Sequence, residues 1–242
     1  MSLKTLQHKH ANTSEQYGYA GIPIFATVGI HENTFDIVQE LHISKDAPIL
    51  ILGSGAGAFD KRMLDNGYTN ITSIEFVEGV HQVKGVKLLH TDLNTDFSTL
   101  GTFKLIVALE IIEHLENEFH FMRQVALMLE DTTSYCIVST PNAESSFARM
   151  KYALTGSLHW FGVNELSGTG HIHPVFDHIF RFNVSETGLS IQKKYNNKNI
   201  WFDSLFRYKK IHIRLAYMFV YVLSLFIANR DDSDIHIYLI KK

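Results

Sequence analysis

Pro48-Ile49-Leu50-Ile51-Leu52 is an unbroken apolar run that leads directly into Gly53-Ser54-Gly55-Ala56-Gly57. An apolar run without alternation fits a strand buried on both faces, as in the middle of a parallel sheet covered by helices on either side. Glycines placed directly after such a strand permit a tight turn and a close approach of backbone to a ligand. A helix is expected next, through about Asn66 with Gly67 as its stop, and its first turn would present free N–H groups to that ligand.

The remaining pattern repeats this alternation. Thr34 to Leu41 has helical spacing. Ile71 to Phe76 and Gly85 to Leu89 read as a second and third strand, the latter ending near His90-Thr91-Asp92. Phe103 to Leu109 reads as a fourth strand, Glu116 to Leu129 as a helix, and Tyr135 to Ser139 as a fifth strand stopped by Pro141. Leu189 to Lys193 fits a sixth strand, and the alternating Asp234 to Ile240 a last one. Strands that alternate with helices imply a mostly parallel sheet with helices on both faces. Residues 1–30 are polar and aromatic and read as an irregular arm or short cap. Residues 143–182, rich in aromatics, histidine and glycine, suggest a lid or substrate-facing insertion. The chain has 242 residues, no internal repeat and only four prolines, which fits one α/β domain.

Composition excludes some functions. A net charge of −3 gives no large basic field, so a nucleic-acid partner is not expected. The single Cys136 allows neither an intrachain disulfide nor a cysteine-rich metal site, and it fits a reducing, cytoplasmic setting. Met1 to Asn12 lacks the apolar centre of a signal peptide. Leu215 to Ala228 (LAYMFVYVLSLFIA) is strongly apolar but short for a bilayer span. It follows Arg207, Lys209, Lys210 and Arg214, so peripheral membrane contact through 211–228 stays open. A helix buried in the core, or at a dimer contact, is the plainer expectation for a run of this length. Nothing in the sequence sets the oligomeric state.

Glu75 ends the second strand, about 20 residues beyond the glycines, where nucleotide-binding α/β units place an acid to grip ribose hydroxyls. A carboxylate accepts from both hydroxyls at once. The same glycine segment also reads as Gly53-x-Gly55-x-x-Ala58, a dinucleotide fingerprint. A nicotinamide-dependent oxidoreductase therefore stays open at this point, as does a binding module without catalysis.

The order ILILGSGAG, ITSIEF, HTDL, FKLIVALEIIEHLEN and IVSTPN, covering about Thr34 to Asn142, resembles the class I S-adenosylmethionine-dependent methyltransferases, especially the branch of ubiquinone-biosynthesis O-methyltransferases. The last third matches only through His171–His173, TGLSIQKK and the final strand. The resemblance implies a doubly wound, seven-stranded, mostly parallel sheet with a final antiparallel strand. It implies a cofactor-binding half (31–142), an acceptor-side half (143–242) and S-adenosylmethionine as methyl donor. Gly53, Ser54, Gly55 and Gly57 would then face the methionine part, with Leu109 and Glu110 lining the same side. Glu75, followed by Phe76, would bind the ribose. Asp92 would take the adenine amino group with Leu93 beside the ring. One departure stands out: the family usually has an acid two positions before the first glycine, where this chain has Ile51, and Glu110 is a candidate substitute.

Glu110, Glu113 and His114 admit two readings. On a helix Glu110 and His114 are four residues apart and share a face. Small-RNA 2′-O-methyltransferases use a similar Glu-x-x-Glu-His with a further histidine as a metal site, which His171 or His173 would supply here. Many relatives carry the motif without needing metal, so a divalent metal is not expected, and Glu110, Glu113, His114 and His171 are its candidate ligands. His114, beside Glu113, otherwise serves as general base or orients the acceptor. His159, Trp160 and Phe161 with Gly170-His171-Ile172-His173 either frame an acceptor pocket or pack a loop. His8, His10, His42, His81, His212 and His236 read as surface or partly buried structural residues. The expected reaction is in-line methyl transfer to a small molecule, at oxygen by resemblance.

Overall fold

The computed structural model describes residues 18–197 and 211–242. Most of the expected N-terminal arm, and the cations Arg207, Lys209 and Lys210, therefore lie outside the described residues. The described chain opens with a small antiparallel hairpin, β1 (Gly18–Tyr19) and β2 (Ile22–Pro23), before helix α1 (Ile30–Glu40). The helix thus begins four residues ahead of the expected Thr34.

The main sheet is built from β3 (Ile49–Leu52), β4 (Ile71–Ile74), β5 (Lys87–Leu89), β6 (Leu105–Leu109), β7 (Tyr135–Pro141), β8 (Ser190–Asn197) and β9 (Ile235–Lys241). Its seven strands run in the order β5-β4-β3-β6-β7-β9-β8. All pairings are parallel except those of β9, which is antiparallel to both β7 and β8. The seven-stranded sheet with one antiparallel strand is the expected fold.

The apolar runs carry no alternation because both faces are covered. Leu50 and Leu52 of β3, Ile106 and Ala108 of β6, and Cys136 and Val138 of β7 enter one core. They meet Phe121, Met122, Val125 and Met128 of α3 (Glu118–Met128) and Phe180 and Val184 of α6 (Asp177–Glu186). Their neighbours Ile49, Ile51, Leu105, Val107 and Ile137 enter the other core, against Phe35 and Val38 of α1 and Phe59 and Met63 of α2 (Ala58–Asp65). A period of two along each strand thus divides one apolar run between two layers.

Helices α4 (Ser146–Thr155) and α5 (Val163–Gly168) precede α6, so the expected insertion at 143–182 is largely helical. Helix α7 (Ile211–Ser224) corrects a second expectation. Only Val220 and Ser224 in it are buried, while Leu215, Met218, Phe219 and Val222 face solvent. It lies against α4, outside the two cores. No helix among the described residues is long and apolar enough to cross a membrane.

Candidate active site

The chain leaves β3 toward β4 on one side of the sheet, and β6 pairs with β3 on the other. In an open α/β sheet this reversal leaves a crevice at the C-terminal ends of the two strands, the usual place for a ligand. The glycine turn follows β3, and Glu110 follows β6, so the topology brings these two expected segments to one crevice.

Gly53, Gly55 and Gly57 all have left-handed backbones, with φ of 68, 55 and 89°. Space is short as well. A Cβ on Gly53 would come within 2.6 Å of Ile111 Cδ1, and one on Gly55 within 2.9 Å of Phe25 Cδ2. Close approach and positive φ together explain why glycine stands here. Glu75 braces the turn: its Oε2 accepts from Gly55 N at 2.8 Å and its Oε1 from Val77 N at 3.0 Å. Each oxygen keeps a second lone pair for a ligand hydroxyl. Ser54 Oγ is buried with no hydrogen-bond partner among the described residues, a polar atom at the turn that a ligand would satisfy.

Phe76, next to Glu75, is 51 % exposed, an unusual position for a phenyl unless something planar covers it. Asp92 holds a local turn, its Oδ1 accepting from Asn94 N at 2.9 Å. Leu93 beside it is buried and its side chain belongs to the core, so only its backbone is left to line a site. Ile51 also points into the core, on the α1–α2 side.

The segment 110–114 is not the helix on which Glu110 and His114 would share a face. Glu110 itself is left-handed, φ 49°, and Ile112–His114 form a single 3-10 turn. Glu110 and His114 therefore do not share a helical face. The Glu110 carboxylate instead accepts from the Thr27 amide and, at 2.7 Å, from Thr27 Oγ1. Burial pushes its carboxyl up to about 7, opposed by the bonds from Thr27 and aided by the nearby charge of Asp234. A non-glycine left-handed backbone and a perturbed acid at one crevice are marks of a functional site.

Glu113 is completely buried, and among the described residues neither carboxylate oxygen makes a hydrogen bond of normal geometry, the Thr140 hydroxyl being the side chain that opposes its rise. Burial first, then the nearby Glu110 carboxylate, raise its carboxyl well above the ordinary range. His114 Nδ1 lies 3.0 Å from Gly170 O, and His171 Nδ1 lies 2.8 Å from Trp160 O. A carbonyl only accepts, so in both rings Nδ1 donates and the lone pair falls on Nε2. The two rings meet edge to face, with centroids 4.9 Å apart. Ligand atoms of Glu113, His114 and His171 all lie within 4.8 Å of one another. Neither Glu110 nor His173 joins them. His173 Nε2 instead lies 3.7 Å from Glu118 Oε2. His159 and Trp160, with ring centroids 4.8 Å apart, continue from His171 toward Phe147 on α4. Of the remaining histidines, His236 pairs with Asp231, while His81 pairs with the buried Asp60 and lies against the glycine turn, where a Cβ on Gly57 would come within 2.8 Å of its Nε2.

Sequence reasoning missed Phe25 and Thr27. They touch the site only because the N-terminal segment folds back across the glycine turn. That segment is pinned where Asn197 Nδ2 of β8 donates to Val28 O at 3.0 Å, a contact between residues 169 apart in sequence.

S-adenosylmethionine, a cation at sulfur and at its amino group, suits this crevice. Glu75, Glu110 and Glu113 all lie at its strand ends, and among the described residues none has an ion-pair partner. An unpaired buried acid is costly, and a cationic ligand relieves it. The fold is the class I S-adenosylmethionine-dependent methyltransferase fold. A methyltransferase-domain family model matches residues 30–188, and the chain belongs to that family. Among solved structures it is similar to a SAM-dependent methyltransferase from Archaeoglobus fulgidus, 14 % identical, with a TM-score of 0.60, covering 88 % of this chain and 95 % of that one. It is also similar to an S-adenosylmethionine-dependent methyltransferase from Mesorhizobium loti, 14 % identical, with a TM-score of 0.58, covering 88 % and 99 %. Among curated proteins no sequence matches the chain.

Proposed function

We propose that the protein transfers the methyl group of S-adenosylmethionine to a hydroxyl oxygen of a small molecule. The observation that carries this reading is the set of unpaired acids, Glu75, Glu110 and Glu113, around a glycine turn at the switch point of the sheet. In this reading the glycine turn and Ser54 hold the methionine part, Leu109 and Glu110 line it, and Glu110 takes the role that Ile51 cannot fill. Glu75 accepts from the ribose hydroxyls, the exposed Phe76 covers the adenine, and Asp92 with the Leu93 backbone reads its edge.

The acceptor oxygen forms a bond to the methyl carbon as the carbon–sulfur bond breaks. S-adenosylhomocysteine and the acceptor's proton are released. The donor is already activated, so the protein's contribution is proximity, alignment and removal of that proton. His114, with its lone pair on Nε2, takes the proton, and Glu113 helps to orient the acceptor. The resemblance to the ubiquinone branch favours a phenol-like acceptor.

The EIIEHL and STPN segments weigh against a nicotinamide dinucleotide. Transfer of labelled methyl from S-adenosylmethionine to members of a hydroxyl-compound panel tests the proposal. Cofactor binding with no product on any phenol, sugar or aliphatic alcohol would favour a non-catalytic binding module instead.

One observation favours a second reading of the acceptor end. Ligand atoms of Glu113, His114 and His171 lie within 4.8 Å of one another, and neither Glu113 oxygen has a hydrogen bond of normal geometry among the described residues. Oxygen and imidazole donors suit a divalent cation, and backbone carbonyls on Nδ1 are the supports such histidines carry. A cation there would bind the acceptor hydroxyl and lower its proton affinity. Calorimetric titration with Mn²⁺ tests this without turnover: binding that His171→Ala weakens supports it, and no binding to the wild type excludes it.

A further inference from the structure

Helix α7 is packed on one side only. Its buried Val220 and Ser224 lie on the α4 side, and Tyr217 stacks on Phe147 with ring centroids 5.5 Å apart. The opposite side carries Ile211, Leu215, Met218, Phe219 and Val222, with Phe226 just past its end. They are 66, 54, 52, 59, 46 and 83 % exposed. Spacings of three and four residues put these on a single helical face. A contiguous apolar stripe left in water marks a surface made to be covered.

The charge that precedes the stripe in sequence indicates what covers it. Residues 204–214, which lead into the helix, carry Arg207, Lys209, Lys210 and Arg214 and no acid, in a chain whose net charge is −3, while Arg230 beyond the helix is paired with Asp232. The sequence therefore gathers positive charge directly ahead of this helix in the chain. An apolar face flanked by cations is the chemistry of a helix lying in the headgroup layer of an anionic bilayer. We propose that α7 docks the protein on an anionic lipid surface, with Phe219 and Phe226 reaching the acyl boundary.

The location of the helix gives this docking a direction. Helix α4 begins just beyond the C-terminal end of β7, at the end of the sheet where the glycine turn and Glu110 lie. Arg149 of α4 ties down the end of the α7 segment, donating to Ala228 O at 3.1 Å and to Asn229 O at 2.8 Å. Rings continue inward from the docked helix: Tyr217 to Phe147, Phe147 to His159, His159 to Trp160. Docking thus turns the crevice end of the sheet toward the bilayer. The docking stands apart from the methyl-transfer reading, and each fails by a different experiment.

Flotation of the full chain with lipid vesicles tests it. Phosphatidylcholine vesicles containing about one third phosphatidylglycerol are compared with phosphatidylcholine alone. Wild-type protein should co-float with the anionic vesicles, and raising the salt should release it. Phe219→Glu and Phe226→Glu should each lower the bound fraction about tenfold. Both variants should keep the wild-type circular dichroism spectrum and S-adenosylhomocysteine affinity. If a variant fails to fold, the contrast between the two vesicle types for the wild type still decides. No co-flotation, or equal flotation with both vesicle types, would overturn the proposal. So would a dimer in light scattering that Phe219→Glu dissociates, since the face would then belong to a second copy of the chain.

Discussion

Glu110 makes cofactor binding depend on pH in a way that can be worked out in advance. Its carboxyl is raised to about 7, because burial at the end of β6 outweighs the two bonds from Thr27, with Asp234 adding to the rise. If the ionised form is what holds the cationic donor, only the ionised fraction binds fully. That fraction is about one tenth at one pH unit below the midpoint and about nine tenths at one unit above. Affinity for S-adenosylmethionine should therefore rise about tenfold from pH ~6 to pH ~8 and then level off. Binding should release close to one proton at the lower pH and almost none at the higher.

The effect on the unliganded fold runs the other way. A carboxyl whose folded value lies above its unfolded value of 4.5 holds its proton more tightly in the native state. The native state is therefore favoured below the unfolded value, and stability falls as pH rises from about 4.5 to about 7. The full shift corresponds to about 3 kcal/mol, and the contribution is smaller because Glu110 keeps some contact with solvent. Calorimetric titrations across this range, in two buffers of different ionisation enthalpy, read both affinity and proton release. Glu110→Gln should bind more weakly and without pH dependence. A flat wild-type profile with no proton release, or an unchanged profile in Glu110→Gln, would refute the reasoning.

Three further outcomes follow from the geometry. Gly55→Val places a branched side chain at φ 55° and against Phe25, so S-adenosylhomocysteine binding in a calorimeter should be lost. His114→Ala should leave cofactor affinity within a few-fold while lowering the single-turnover rate of methyl transfer by about 10²-fold or more, and a rate loss below about threefold would remove His114 from the chemistry. Tyr238→Phe deletes a buried hydroxyl that donates to Asp177 Oδ1 at 2.8 Å, which should cost about 1–2 kcal/mol in denaturant unfolding with no effect on cofactor affinity.

The sheet was legible because its central strands are buried on both faces, and such strands read as plain apolar runs, as Pro48 to Leu52 does. Edges were less legible. Strand β8 extends to Asn197, beyond the expected Lys193, because it borders the sheet and much of it is exposed, so polar residues fit without breaking the pairing. Strand β7 runs through Pro141, the last residue of its ladder, paired with Ile235. A proline at the end of a strand gives up one donor where the ladder is finishing anyway.

The candidate site divides in the same way. Gly53, Gly55, Gly57 and Glu75 were readable because their chemistry is local to one strand–turn–helix–strand unit. The left-handed backbone of Glu110 left no trace in the sequence, and a helical reading of Glu110 to His114 missed it. Choosing between His171 and His173 required the fold, since a shift of two residues in a loop decides which ring meets His114. Helix α7 shows what apolarity alone leaves open. Its residues avoid water in sequence terms, yet the two cores of the sheet are complete without them.

The central claim is that the crevice between the glycine turn and Glu110 takes a cationic adenosyl donor and not a dinucleotide. Titration of the full chain with S-adenosylmethionine and separately with NADH measures this directly. Saturable one-to-one binding of S-adenosylmethionine, lost in Gly55→Val, with no NADH fluorescence enhancement, is the predicted result. NADH binding at the same site without any binding of S-adenosylmethionine or S-adenosylhomocysteine would contradict it.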